Sequence, residues 1–183
     1  MTNEANLIET QLNSRDIFEG KILHVKLDTV RLPNGAEATR EIIRHVGAVC
    51  VLPLTADGKV VVERQFRYPM NEVITEIPAG KLDSPDEDPF EAIKRELREE
   101  TGATADKWTC LGLFYPAAAY SDERIWMYLA EDLHFGQQDL DKDEFLDVTL
   151  VPLEELVEQV MAGQIPDAKT QTAVMRVWAM KNK

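Results

Sequence analysis

The most constraining feature of the sequence is one amphipathic segment, PFEAIKRELREET, which begins at Pro89 and ends at Thr101. Its apolar residues Phe90, Ile93 and Leu97 recur at three- and four-residue spacing, which predicts a helix with one buried face. Proline is favoured in the first helical turn and glycine directly after the last, so the sequence also marks both ends of the helix.

The same helix carries three glutamates, Glu96, Glu99 and Glu100, within about one turn. Glu100 borders the apolar face, whereas a purely solvated acidic face would point away from the core. Carboxylates this close repel one another unless cations lie between them. Oxygen ligands at this spacing suit a hard divalent cation such as Mg²⁺. The alternative is an exposed helix whose acids pair with its own lysine and arginines.

Short β-rich runs surround this helix, and no repeat or low-complexity linker divides the chain. This order of elements predicts an α+β fold, or an α/β/α layered domain. Extended segments are expected over 16–45 with a turn at Pro33-Asn34-Gly35. We predict a hairpin of strands 48–54 and 59–66, further strands over 73–77, 108–115 and 125–129, and helices over 153–161 and 168–180.

The charge of the chain excludes some classes of partner. The sequence has 20 Lys and Arg against 33 Asp and Glu, a net charge of −13. Binding to a nucleic-acid backbone or to an anionic membrane needs surplus positive charge, so we expect neither partner.

The termini and the cysteines predict a cytoplasmic location. The first residues are polar and lack the apolar run of a secretion signal, and no apolar stretch reaches the roughly 20 residues that span a bilayer. Cys50 and Cys110 lie in apolar segments without the spacing of a disulfide framework or zinc site, so both are expected to be buried, reduced thiols.

The segment around the helix resembles the Nudix box, G-x5-E-x7-R-E-U-x-E-E-x-G-U, in which U is apolar. Gly80, Glu87 and the run from Arg95 to Ala103 supply its specified positions, and the spacing from Glu87 to Arg95 fits. Six residues instead of five separate Gly80 from Glu87, which we interpret as a loop insertion that costs little.

The resemblance extends over about residues 40–180 and points to the branch of ADP-ribose and nucleoside-diphosphate-sugar pyrophosphatases. It implies the α/β/α Nudix sandwich over residues 44–180. Members are typically homodimers whose N-terminal strands cross to the partner, so segment 1–43 is expected to serve dimerisation and to cover the substrate. The resemblance is carried by RHVGAVCVLPL, ERQFRYP, EIPAGKLD, SDERIWMYLAEDL, DEFLDVTLVPLEEL and IPDAKTQTAV.

The resemblance also implies the metal ligands. Glu96 and Glu100 would bind Mg²⁺, or Mn²⁺, directly, and Glu99 would be a further ligand or an outer one. The backbone carbonyl of Ala79 would supply another oxygen. Glu99 and Arg95 also belong to the expected catalytic set, Arg95 as a structural partner of a box carboxylate.

The remaining site residues are expected outside the box. Related enzymes take the general base from a later loop, which indicates Glu144 in Asp141–Glu144, with Asp143 as the second choice. The alternative is a solvated acidic loop. A diphosphate needs local positive charge, for which Arg67 is the first candidate. The further substrate-binding candidates are Arg44, Lys81 and Glu76, where Glu76 could equally form a salt bridge at a strand end.

The resemblance implies an enzyme that hydrolyses nucleoside diphosphate sugars, with ADP-ribose and GDP-mannose as candidate substrates. One departure bears on the choice between them. Ala118 stands where the ADP-ribose enzymes have a proline, and Pro116 comes two residues earlier. The alternatives are a hydrolase of another diphosphate, such as NADH or a dinucleotide polyphosphate, and a nucleotide-sensing Nudix domain without catalysis.

Overall fold

The computed structural model describes residues 4–142 and 144–182, so that Asp143 lies outside the described residues. Within them the chain divides into two compact units. The first unit extends to Val46 and includes Ala117–Arg124. The second unit comprises Gly47–Pro116 and the chain from Ile125 onward.

The first unit is built on three antiparallel strands, β1 (Thr10–Glu19), β2 (His24–Arg31) and β3 (Glu37–Arg44). The turn between β2 and β3 forms at the predicted Pro33-Asn34-Gly35. Every residue of β1 is exposed. The segment Ala117–Arg124 lies alongside β3, to which it is joined by backbone hydrogen bonds.

The second unit holds two sheets. One is antiparallel with the strand order β10-β5-β6, and the other has the order β7-β4-β9-β8 with β4 parallel to β9. The strands are β4 (Ala48–Pro53), β5 (Lys59–Arg67), β6 (Glu72–Glu76), β7 (Ala79–Lys81), β8 (Ala103–Phe114), β9 (Ile125–Phe135) and β10 (Leu146–Pro152).

Three helices complete this unit: α1 (Pro89–Thr101), α2 (Leu153–Met161) and α3 (Ala168–Lys181). The predicted bounds of α1 are confirmed, and both ends have a physical cause. Asp88 accepts a hydrogen bond from the N–H of Phe90 at 2.9 Å, and Gly102 ends the helix with a left-handed φ of 69°.

Strand β4 separates two apolar layers because successive side chains point to opposite faces. Cys50 and Leu52 belong to the core that α2 and α3 share with β5. Val49 and Val51 are also fully buried but face the other way, toward the side on which α1 packs. The predicted α/β/α sandwich is therefore confirmed.

The predicted hairpin of the β4 and β5 strands is wrong in its pairing. The turn at 55–58 forms, but β4 and β5 enter different sheets, and an isolated bridge joins Leu54, directly after β4, to Val60 of β5. The reason is that β4 already has neighbours on both edges, β7 and β9, and cannot pair with a third strand.

The two thiols differ in exposure, which corrects the sequence prediction. Cys50 is buried, whereas Cys110 is exposed because β8 is an edge strand with one face toward solvent. Among the described residues, no helix combines the length and apolar character needed to cross a membrane.

Candidate active site

The candidate site is centred on α1 and on β7, which packs against it. The N–H of Ala79 donates a hydrogen bond to Oε2 of Glu100 at 3.0 Å. The next residue, Gly80, lies so close to Glu96 that a Cβ there would overlap the carboxylate of Glu96. The absence of a side chain at Gly80 therefore lets the two elements meet at these two glutamates.

Glu100 is the most strongly perturbed acid of the site. It is only 6% exposed, and its pKa is raised to about 10. Burial is the main cause, followed by the negative charges of Glu63, Glu96 and Glu144, while the Ala79 hydrogen bond opposes them. Burial and neighbouring carboxylates also raise the pKa of Glu96, although Arg95 opposes the shift.

The later acidic loop reaches the same place. The charge of Glu144 raises the pKa values of Glu63, Glu96 and Glu100, so its carboxylate lies within electrostatic range of this cluster. The backbone N–H of Glu144 donates to the carbonyl of Asp141 at 3.0 Å, just before β10 begins. The structure therefore brings the predicted base together with two of the predicted ligands.

Arg95 ties the box acids together. Its guanidinium lies 2.7 Å from Oε1 of Glu96, 3.1 Å from Oε1 of Glu87 and 3.4 Å from Oε2 of Glu99. Glu87 also accepts the N–H of Asp83 at 2.6 Å, which holds the loop before α1. Both oxygens of Glu99 meet arginines, since Oε1 pairs with Arg98 at 2.8 Å. The carboxylate of Glu99 is thus paired with two arginines of the same helix.

A second ion network lies on the neighbouring strands. Arg67 makes a bidentate pair with Glu76, with distances of 2.6 and 3.0 Å, and Lys169 of α3 also pairs with Glu76. Burial opposes ionisation of Glu76, but its Arg67 and Lys169 partners outweigh burial and lower its pKa. Asp167 pairs with Lys169 at 3.1 Å. The salt-bridge alternative for Glu76 is therefore observed.

The other two substrate candidates are not part of these clusters. Arg44 belongs to the first unit, where its Nη1 lies 3.0 Å from Oδ2 of Asp122 and its Nη2 3.7 Å from Oδ2 of Asp28. Lys81 is exposed at the end of β7, next to Gly80.

The donor chemistry of the cluster fits a hard divalent cation. The carboxylates of Glu63, Glu96, Glu100 and Glu144 repel one another, and a cation between them would remove this repulsion. Within the described part of the chain, no group of three or more Asp, Glu, His or Cys side chains is arranged so that it could hold a metal ion by itself. Water and substrate oxygens would complete the coordination, as is usual for Mg²⁺.

Two charged residues of the site, Glu63 and Lys169, were missed by the sequence predictions. Glu63 lies in the middle of β5, and β-strand alternation places it on the same face as Arg67, which was a signal in the sequence. Lys169 lies in the first turn of α3, where nothing in its neighbours along the chain indicates a partner as distant as Glu76.

Two family descriptions match the chain. The NUDIX domain matches residues 43–172, and the N-terminal domain of nucleoside diphosphate sugar hydrolases matches residues 9–43.

Curated relatives and a solved structure are similar over most of their length. An ADP-ribose pyrophosphatase of Bacillus subtilis is 42% identical over 171 residues, which is 92% of both chains. A GDP-mannose pyrophosphatase of Pectobacterium atrosepticum is 32% identical over 197 residues, which is 99% of this chain and all of the relative. The crystal structure of an ADP compounds hydrolase covers 94% of the chain with a TM-score of 0.84 at 24% identity, which shows the same fold. The chain belongs to the NUDIX domain family.

Proposed function

We propose that the protein hydrolyses the diphosphate bond of nucleoside diphosphate sugars with the help of Mg²⁺. The products are a nucleoside monophosphate and a sugar phosphate. The observation that carries the proposal is the meeting of Glu144, from a late loop, with Glu96 and Glu100 of α1. Relatives named ADP-ribose pyrophosphatase and GDP-mannose pyrophosphatase support this substrate class.

The cation site is formed by Glu96, Glu100 and the carbonyl of Ala79, with Glu99 on its outer side. Nudix hydrolases generally need a divalent metal ion. We assign Mg²⁺ here, with Mn²⁺ as the substitute, because all the proposed ligands are oxygens. When bound, such an ion neutralises the diphosphate and lowers the pKa of a water molecule.

Glu144 acts as the general base. A water oxygen attacks one phosphorus, the bond from that phosphorus to the bridging oxygen breaks, and the proton of the water passes to the carboxylate of Glu144. Glu144 lines an open groove with Phe66, Val73 and Phe145, so the loop is accessible from solvent. Arg95 keeps Glu96 in position through the 2.7 Å contact.

Arg67 is the principal contact for the diphosphate, with Glu76 as the residue that orients it. The bidentate pair fixes the guanidinium, and its remaining N–H groups can donate to phosphate oxygens. Lys81 and Arg44 are assigned supporting roles. ADP-ribose and GDP-mannose are the two candidate substrates.

The N-terminal segment 1–43 is proposed to form a homodimer and to cover the substrate, separately from the hydrolase domain over 44–180. The exposed side chains of Leu12, Ile17 and Phe18 on β1 support this role, because apolar side chains gain free energy when a partner covers them. A cytoplasmic location and the absence of nucleic-acid and membrane partners stay predictions from composition.

The same experiment tests two alternative functions. A hydrolase of NADH or of a dinucleotide polyphosphate would use the same acids on another substrate. A nucleotide-sensing domain would bind without turnover, and the complete set of box acids together with Glu144 disfavours it.

The test is hydrolysis by the purified protein, with Mg²⁺, of a panel containing ADP-ribose, GDP-mannose, NADH and a dinucleotide polyphosphate. We expect hydrolysis of the nucleotide sugars, measured as the inorganic phosphate that an added phosphatase releases from the products. This turnover should be lost in Glu100→Gln. Preferential turnover of NADH or the polyphosphate would replace the substrate assignment. No turnover of any compound, with Glu100→Gln indistinguishable from the parent, would refute the enzyme.

A further inference from the structure

Glu63 is a buried carboxylate that the family motif does not contain. It lies in the middle of β5 and is only 4% exposed. Its Oε1 atom finds no hydrogen-bond partner among residues 4–142 and 144–182. An ionised carboxylate without a partner is costly in a protein interior, so Glu63 either holds a proton or needs a compensating cation.

The two cations whose charges act on Glu63, Arg67 and Lys169, are already paired with other acids. Arg67 is paired with Glu76, and Lys169 is paired with both Glu76 and Asp167. Glu76 lies directly across from Glu63 in the β5–β6 ladder, so it takes up the positive charge on this side.

Glu63 also lies within electrostatic range of the acids of the proposed active site. The charge of Glu63 raises the pKa of Glu100, and the charge of Glu144 raises the pKa values of both residues. The three carboxylates belong to a strand, a helix and a loop, which converge here from distant parts of the sequence. A buried oxygen without a hydrogen-bond partner thus lies near a group of acids that needs a cation.

We propose that Glu63 binds the divalent cation of the active site together with Glu100. The inference rests on the proposed function, because it concerns the same cation. It extends the ligand set from the helix of the box to a strand of the neighbouring sheet. Because β5 lies between β10 and β6, this ligand would be held on a rigid element.

A ligand role for Glu63 predicts opposite effects of its charge without and with the metal ion. Without metal, burial and the neighbouring charges of Glu144 and Glu76 oppose a carboxylate at position 63, so its replacement by a neutral amide is expected to stabilise the protein. With metal, the same charge is expected to contribute to affinity. A merely structural residue would not give this crossover, since its substitution would weaken the protein with and without the ion.

The experiment compares Glu63→Gln with the parent and with Glu72→Gln, which makes the same change at an exposed position of the adjacent strand. Binding of Mn²⁺ alone is measured from the free-ion signal by electron paramagnetic resonance. The midpoint of thermal unfolding is measured in EDTA and in Mn²⁺. Glu100→Gln is included to test the cation site itself.

We expect Glu63→Gln to weaken Mn²⁺ binding by about 10- to 100-fold and to raise Tm in EDTA by roughly 2 °C or more. Glu72→Gln should match the parent in both measurements. If Glu63→Gln does not fold, Glu63→Asp carries the same test, with weakened Mn²⁺ binding expected and parental binding contradicting the proposal.

Parental Mn²⁺ affinity in folded Glu63→Gln would overturn the inference, even if Tm in EDTA rises, because Glu63 would then be only a protonated buried acid. If Glu100→Gln loses affinity in that case, the cation site of the proposed function stands. If Glu100→Gln also binds Mn²⁺ like the parent, the proposed cation site fails as well.

Discussion

Replacement of Gly80 by alanine should separate activity from stability. The backbone of Gly80 does not adopt the left-handed conformation, so alanine fits its φ angle without strain. An ideal Cβ would, however, overlap all three carboxylate atoms of Glu96. The substitution therefore acts on one side chain of the site and leaves the path of the chain unchanged.

The size of the effect follows from this overlap. The carboxylate of Glu96 must withdraw by at least about 1 Å to reach a tolerable separation, and a misplacement of that size costs on the order of 100-fold in rate. This loss corresponds to roughly 2.7 kcal/mol of transition-state stabilisation. The overlapping atoms are the far end of the long Glu96 side chain, which can move away. The free energy of unfolding should therefore fall by only about 1 kcal/mol.

Gly102→Ala is the matched control, because it changes the other glycine of the box for a different physical reason. Gly102 has a left-handed φ of 69°, and a Cβ would lie 2.6 Å from the carbonyl oxygen of Gly136. Strain of about 1–2 kcal/mol should lower Tm, while the folded enzyme keeps most of its kcat/KM. Steady-state kinetics with a nucleotide sugar and urea unfolding measure both. Parental kcat/KM in Gly80→Ala, or a larger loss of stability than in Gly102→Ala, would refute the reasoning.

Three further predictions concern charge and thiols. The pKa of Glu100 is raised from 4.5 when unfolded to about 10 when folded, so the native protein holds a proton that the unfolded chain has lost. In EDTA, the stability of the parent should therefore fall relative to Glu100→Gln as the pH rises from about 5 to 9 in urea unfolding, and a parallel pair of curves would contradict this assignment. Arg67→Ala should raise KM about tenfold through the loss of a charge-assisted hydrogen bond, and an unchanged KM would exclude Arg67 as a diphosphate contact. Burial raises the pKa of Cys50 to about 12, so a thiol reagent at pH 8 should modify Cys110 rapidly and Cys50 only after unfolding, whereas two fast equivalents would disprove the buried position.

Much of α1 could be predicted because its information is local. The spacing of Phe90, Ile93 and Leu97 defines the buried face, and Pro89 and Gly102 mark the ends. The same helical periodicity predicts that Glu96 and Glu100 lie close together on the helix. The division of β4 and β5 between two sheets could not be predicted, because it depends on β9, which lies far along the chain.

The site itself combines local and distant information. Glu144 was suggested by the resemblance, and the structure places its charge near the box acids. Glu63 and Lys169 escaped because their partners come from other elements: Glu63 meets α1 and the late loop, and Lys169 meets β6. The bidentate pair of Arg67 and Glu76 depends on the β5–β6 register, which no spacing in the sequence specifies.

The parallel pairing of β4 with β9 has a consequence for biosynthesis. Strand β4 leaves the ribosome early, but its neighbour β9 begins only at Ile125. Until then the apolar run of β4 has one open edge and is a site for wrong association with other nascent chains. Glu144 emerges later still, so the acidic cluster assembles after most of the chain has been made. An unfinished chain can therefore carry the whole Nudix box and still lack Glu144, the proposed general base.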